Sequence, residues 1–178
     1  MIFLKKLESI EDRVRTIEAD LARKMVLLSG PRQVGKSWLA RHIATSRFHS
    51  SRYLNWDNLQ DRGVILNYGW STATDLLVLD EIHKMPKWKN HLKGIWDSRP
   101  ENMAVLVTGS ARLETFRQSG DSLAGRYLHH RLFPLTPAEM VRVGEPATLS
   151  RFLERGGFPE PFLMELPEDA GRWRRQYI

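Results

Sequence analysis

One stretch constrains this chain more than any other: Gly30-Pro31-Arg32-Gln33-Val34-Gly35-Lys36-Ser37. It fits G-x-x-x-x-G-K-[ST], the spacing of a phosphate-binding P-loop. Two glycines let the backbone curl so that successive N–H groups converge on an anion. The helix that follows adds the positive end of its dipole. Lys36 has the reach to meet β- and γ-phosphates as a point charge, and the Ser37 hydroxyl is suited to Mg²⁺. The pattern also occurs by chance, so its neighbours decide. Upstream, Lys24 to Ser29 is a short apolar run that reads as a buried strand. Downstream, Leu39, Ala40, Ile43 and Ala44 fall on one helical face. Strand, glycine loop, helix is the order such a cradle needs. The segment from Gly30 through Pro31, Arg32, Gln33, Val34 and Gly35 to Lys36, Ser37 and Trp38 is therefore the candidate nucleotide-binding segment.

A second constellation follows. Leu76-Leu77-Val78-Leu79-Asp80-Glu81 is four apolar residues and then two acids. A buried strand here delivers Asp80 to the carboxyl edge of a sheet, beside the glycine loop, where it is placed to bind Mg²⁺ as a Walker B aspartate does. Glu81 points elsewhere and is suited to orient an attacking water or accept its proton. Forty-four positions separate Lys36 from Asp80, room for helix, strand and helix. The extra strand and the second acid mark the branch of P-loop proteins with a catalytic glutamate, and exclude small-molecule kinases and small GTPases.

The remaining segments extend the same alternation. Leu7, Ile10, Val14, Ile17 and Leu21 form an amphipathic stripe, and Ser9 with Asp12 predicts a capping box at its start. Residues 51–56 read as a second strand, 76–79 as a third, 103–107 as a fourth and 127–133 as a fifth. Between them, 58–75 reads as helix and loop. Trp88, Leu92, Ile95 and Trp96 mark a helical face, and 111–118 a short helix ahead of the loop Ser119–Arg126. Strands alternating with helices predict a parallel sheet with crossover helices. The fourth strand ends in Thr108-Gly109-Ser110, so Ser110 or Thr108 is positioned to hydrogen-bond a γ-phosphate or its attacking water; a plain N-cap is the competing role for Ser110. Arg126 precedes the fifth strand and is a candidate for stabilising charge on a transferring phosphoryl group. The loop from Ser119 to Gly125 is short and flanked by sheet elements, which favours action within its own chain. His83 has no ligand partner by spacing and reads as structural or peripheral.

Beyond residue 134 the pattern changes. Thr136, Pro137 and Glu139 predict a capped helix start, 149–155 a further helix, and Gly156 to Pro161 a turn. Trp173 to Ile178 reads as the opening turns of one more helix. The expected division is a core over 1–135 and a helical extension over 136–178, the beginning of a second domain that the chain does not complete.

Composition bounds the function classes. There is no cysteine among the 178 residues, which excludes disulfides and thiolate metal sites. The aliphatic runs are far too short to span a bilayer. The N-terminal charges Lys5, Lys6, Glu8, Glu11 and Asp12 stand where a signal peptide needs an apolar core, so the expected location is the cytoplasm, with no membrane partner. The net charge of +6 favours polyanions in general, although the arginines are scattered.

Taken in order, GPRQVGKS, LLVLDEIHK, VLVTGSA, SLAGRY and FPLTPAEM resemble the prokaryotic AAA-type ATPases related to the STAND NTPases, over roughly residues 22–165. That family carries a separate C-terminal domain. The resemblance implies a three-layer α/β P-loop NTPase fold, with a mainly parallel five-stranded sheet of the additional-strand type, helices on both faces and a small helical C-terminal extension. It implies ATP rather than GTP, with Gly30, Gly35, Lys36 and Ser37 on nucleotide and Mg²⁺. Ser37 and Asp80 stand on the metal side, Glu81 is the catalytic glutamate, Ser110 holds the sensor-like position and Arg126 is the loop arginine. The implied activity is Mg²⁺-dependent hydrolysis of ATP to ADP and phosphate, coupled to a conformational change. A nucleotide-dependent switch with negligible turnover is the alternative; phosphoryl transfer to a small molecule lacks a recognisable acceptor pocket. Whether the target is protein or nucleic acid, and whether the chain forms a homo-oligomer, stay open.

Overall fold

The computed structural model describes residues 2–110, 113, 123–142 and 148–177. They divide into two compact units, one of Thr16–Pro31 with Lys36–Leu132, the other of Met1–Arg15, Arg32–Gly35 and Phe133–Ile178.

The first unit is built on five strands: β1 (Met25–Ser29), β2 (Ser51–Asn55), β3 (Leu76–Asp80), β4 (Ala104–Thr108) and β5 (Tyr127–Arg131). Their order is β2-β3-β4-β1-β5, and every neighbouring pair is parallel. β4 is the additional strand, inserted between β1 and β3. Every residue of β1 and β3 is buried, as a parallel sheet covered on both faces requires, which is why these strands are unbroken apolar runs. The edge strands tolerate Arg52, Tyr53, His129 and Arg131 at partly or fully exposed positions.

The crossovers are α2 (Lys36–Arg47), α3 (Leu59–Leu66) and α4 (Trp88–Ser98). α2 buries Leu39, Ala40, Ile43 and Ala44, the face its spacing predicts. α3 starts where the Asn58 side chain accepts from the N–H groups of Gln60 and Asp61. Leu92 and Ile95 of α4 join Leu77, Leu79, Val105 and Val107 in one apolar cluster.

The helix α1 (Ile2–Leu21) contributes to both units, with Val14, Ile17 and Leu21 buried. It begins earlier than the capping pattern predicts: Ser9 and Asp12 lie inside it. No glycine or proline interrupts residues 2–8, and Leu, Lys and Glu there are strong helix formers. Among the described residues no helix is long and apolar enough to cross a membrane.

The second unit holds α5 (Pro137–Arg142), α6 (Leu149–Arg155), α7 (Pro159–Leu163) and α8 (Pro167–Tyr177). The capping box forms as predicted: Glu139 N–H donates to Thr136 Oγ1 at 3.3 Å, and Thr136 N–H donates to Glu139 Oε2 at 2.8 Å. Two expectations need correction. The turn after α6 is shorter than predicted, because Pro159 has a φ suited to the first helical position and opens α7. Trp173 to Tyr177 are the last turns of α8, not the first turns of a new helix. α8 starts at Pro167 with Glu168 and Asp169 in its first turn, acids that favour a helix N-terminus. Phe158, Trp173 and Tyr177 pack ring on ring, with centroids 4.8–5.4 Å apart. The Tyr177 hydroxyl donates to the carbonyl of Arg32 at 3.2 Å. The expected helix over 111–118, Leu113 apart, and the start of the glycine loop at Ser119–Ser122 lie outside the described residues.

Candidate functional site

In a parallel sheet all strands end at one edge, and the register decides which residues meet there. Asn55 pairs with Asp80, Asp80 with Thr108, and Thr108 with Leu28, one residue before β1 ends. The polar ends of four strands are thus brought level with the start of the glycine loop.

Gly30 turns the chain out of β1 with φ 152°. A side chain there would collide with the carbonyl oxygen of Leu132, so the position demands glycine. At the tip, Gln33 and Gly35 also have positive φ, 59° and 99°. Lys36 opens α2 and is nearly buried. Its ammonium donates back to the carbonyls of Gly30 at 3.0 Å and Pro31 at 2.6 Å. A cation therefore stands inside the curl of the loop. Arg32 and Gln33 are exposed, Pro31 is half-buried and Val34 is buried. The Trp38 ring lies on the surface, stacked on His42 at 5.2 Å.

Ser37 Oγ donates to Asp80 Oδ2 at 2.8 Å. Asp80 is 2% exposed, and two more hydroxyls converge on it: Thr108 donates to Oδ1 and Tyr53 to Oδ2. Three donors around one buried carboxylate supply what desolvation removes. Burial, reinforced by the Asp80 carboxylate, pushes the Tyr53 phenol up to about 12; the Arg41 guanidinium, 3.7 Å over its ring, acts the other way. Of the two sensor candidates, Thr108 is therefore committed to Asp80.

Glu81 follows in the left-handed region, φ 58° and ψ 18°. This is uncommon for a residue with a Cβ and tends to cluster at functional positions. The turn separates the two acids. Glu81 Oε2 stands 3.2 Å from Lys84 Nζ and 3.7 Å from His83 Nε2. Lys84 is gripped by Asp57 at 2.5 Å, and that hydrogen bond, with Glu81 adding, holds its pKa above the usual lysine value. Ser110 Oγ lies 3.1 Å from His83 Nε2.

The structure thus gathers Gly30, Lys36, Ser37, Asp80, Glu81, Thr108 and Ser110 at one sheet edge. It does not bring Arg126 there. The Arg126 carbonyl accepts from Met25 N–H at 3.1 Å, at the amino end of β1. The loop leaves the other end of that strand, roughly 15 Å away for five residues. The guanidinium is paired with Asp97, Nε to Oδ1 at 2.9 Å. The expectation of a contact within the same chain's site is not met: β5 is parallel to β1, so a residue preceding β5 lies at the opposite edge from the loop that follows β1.

Two contributors escaped the sequence reading. Tyr53 reaches Asp80 because Tyr53 and Asp80 come from adjacent strands, and their pairing is not visible in one sequence. His83, which reads from spacing as structural or peripheral, is 5% exposed and stands 3.1 Å from Ser110 Oγ and 3.7 Å from Glu81 Oε2. Its ring fits because residue 109 is glycine: a Cβ there would stand 2.6 Å from His83 Nδ1.

Comparison with known proteins follows the same lines. A family model described as an AAA domain matches residues 22–141. An uncharacterized protein of Mycobacterium tuberculosis, Rv2008c, is 32% identical over 158 residues, covering 86% of this chain and 34% of the relative. The chain thus spans about a third of that relative's length. Among solved structures, the Thermotoga maritima RuvB Holliday junction branch migration motor superposes with a TM-score of 0.60 at 20% identity, covering 94% of this chain and 61% of that one. The Saccharomyces cerevisiae Hsp104–ADP complex superposes with a TM-score of 0.62 at 14% identity, covering 92% and 30%. Both are likenesses of fold.

Proposed function

The chain belongs to this AAA domain family, and from that premise we propose that it binds ATP with Mg²⁺ and hydrolyses it to ADP and phosphate, coupling the step to a conformational change. The observation that carries this reading is the Ser37–Asp80 contact at 2.8 Å beside a lysine-bearing glycine loop. A hydroxyl and a carboxylate are hard oxygen donors, and Mg²⁺ is characteristically held by one or two such side chains plus substrate phosphates. The donor set therefore fits: Ser37 and Asp80 would hold the ion, which neutralises charge on the phosphates when bound. The loop N–H groups and Lys36 bind the β- and γ-phosphates, with the ammonium exchanging its two carbonyl partners for phosphate oxygens. Glu81 orients the attacking water and accepts its proton. Ser110 contacts the γ-phosphate. Arg126, at the far sheet edge, acts on a second copy's site.

The kinship with STAND NTPases, carried by the motif series, belongs to the same proposal, as does action in the cytoplasm. A nucleic-acid target is the first to test, supported by the net charge of +6 and by the function printed for the RuvB neighbour. One observation favours the switch alternative: the Glu81 carboxylate is engaged by the Lys84 ammonium at 3.2 Å, a contact it must give up to reach an attacking water. Steady-state phosphate release, with Mg²⁺ or with chelator and with or without DNA, separates the two. Sustained release that needs Mg²⁺ supports the enzyme; ATP binding without release supports the switch.

A further inference from the structure

We propose that His83 is a positioning residue that ties Ser110 to Glu81, so that what Ser110 binds decides where the Glu81 carboxylate stands. The inference rests on the ATPase reading of this site. Glu81 occupies the left-handed region and is followed by a single 3-10 turn, Ile82–Lys84, which returns His83 to the side of the chain on which Ser110 lies. Ile82 is fully buried and anchors that turn in the core. The imidazole itself is 5% exposed and packs over Gly109, where even a methyl group would not fit. Its position is therefore fixed by packing, not by a flexible stem.

The same ring nitrogen faces both partners: Nε2 is 3.1 Å from Ser110 Oγ and 3.7 Å from Glu81 Oε2. The first distance is a hydrogen bond and the second lies beyond one. One nitrogen with one proton serves one acceptor at a time, so the two contacts are alternatives. In the state described, Ser110 holds the ring and Glu81 leans on Lys84. In the tautomer that carries its proton on Nε2, displacement of Ser110 Oγ toward a phosphate oxygen leaves Nε2–H to Glu81, where it competes with Lys84 for the carboxylate. A third phosphate would in this way move Glu81 through one rigid ring; ADP would not.

The test uses the full chain. His83→Phe keeps bulk and loses the nitrogen; His83→Gln restores a donor on a similar reach. His83→Phe is expected to lower kcat by about 10²-fold, the scale on which small misplacement acts, with KM and ADP affinity within about twofold of wild type. His83→Gln is expected to recover at least about tenfold of that loss. In the wild-type chain, the ¹⁵N resonance of His83 Nε2 should differ between ADP and a non-hydrolysable ATP analogue, and Ser110→Ala should abolish the difference. Wild-type turnover in His83→Phe, a parallel loss of ADP affinity, or identical resonances with the two nucleotides would each overturn the inference. If His83→Phe does not fold, the glutamine variant and the resonance of the wild-type chain decide. A chain that binds no nucleotide would sink the ATPase reading, and this inference with it; a chain that binds and hydrolyses ATP indifferently to His83 would sink this inference alone.

Discussion

Ser37 Oγ stands 2.8 Å from Asp80 Oδ2, although 43 positions separate the two residues. The contact follows from strand order. β1 and β3 are both buried, parallel and flank β4, so their carboxyl ends finish at one edge. The second residue of α2 and the residue that closes β3 then meet. Replacing Asp80 with asparagine turns an anion that accepts three hydroxyl donors into a neutral amide. Asp80→Asn is expected to weaken the Mg²⁺ dependence of nucleotide binding itself, read by titrating ATP at fixed and varied Mg²⁺. An unchanged Mg²⁺ dependence would remove Asp80 from the metal side.

Glu81→Gln separates binding from chemistry. It keeps shape and hydrogen-bonding reach but loses the base, so ATP should bind with Mg²⁺ while phosphate release falls by about 10²–10⁴-fold. Wild-type release in this variant would take the catalytic role from Glu81.

Lys36→Ala removes the ammonium seated in the curl of the loop, and with it the hydrogen bonds to Gly30 and Pro31. Each such bond from a charged group is worth about 1.5–3 kcal/mol at most, so the domain should stay folded by circular dichroism. Isothermal titration should show tight ATP binding abolished. Unchanged affinity in a folded variant would contradict the assignment of the loop.

How much of this was legible beforehand depends on range. The glycine loop, the two acids and the Thr136–Glu139 cap are local patterns, and their chemistry is set by spacing of a few residues. The five strands could be read because those buried on both faces are unbroken apolar runs. Tyr53 could not be read, since its partner lies on another strand and register is a property of the assembled sheet. Arg126 was misplaced for a related reason. Its short loop suggests closeness to the sheet, but only the parallel pairing of β5 with β1 tells which edge. His83 needed knowledge that Gly109 leaves room for a ring.

His91 offers a pH-dependent readout away from the site. Burial holds its pKa below the usual histidine value, against the opposing hydrogen bond to the Ile65 carbonyl at 3.1 Å. A depressed folded pKa means the unfolded chain binds the proton more readily. The contribution is therefore fully present above about 6.5 and is lost as pH falls below it. Thermal midpoints measured from pH 7.5 to 5 should drop less steeply in His91→Gln than in wild type. Parallel curves would show that His91 titrates alike in both states.

Arg126 decides whether one chain suffices for full activity. Its guanidinium is tied to Asp97 at the amino edge of the sheet, roughly 15 Å from the loop for a five-residue strand. Reaching its own γ-phosphate would require crossing the sheet edge to edge. Arg126→Ala should accordingly leave ATP and ADP affinity of the dilute chain within about twofold of wild type. A charge-stabilising arginine supplied by a neighbour is worth about 10³–10⁵ in rate, so the wild-type specific activity should rise with protein concentration while that of Arg126→Ala stays flat. The decisive experiment mixes Arg126→Ala with Glu81→Gln. The first keeps an intact glutamate and lacks the arginine; the second lacks the base and keeps the arginine. Where one copy's arginine completes another's site, the mixture regains activity that neither variant has alone. If the wild-type specific activity is independent of concentration and the mixture stays inactive, Arg126 is a solvent-screened surface ion pair with Asp97 and nothing more.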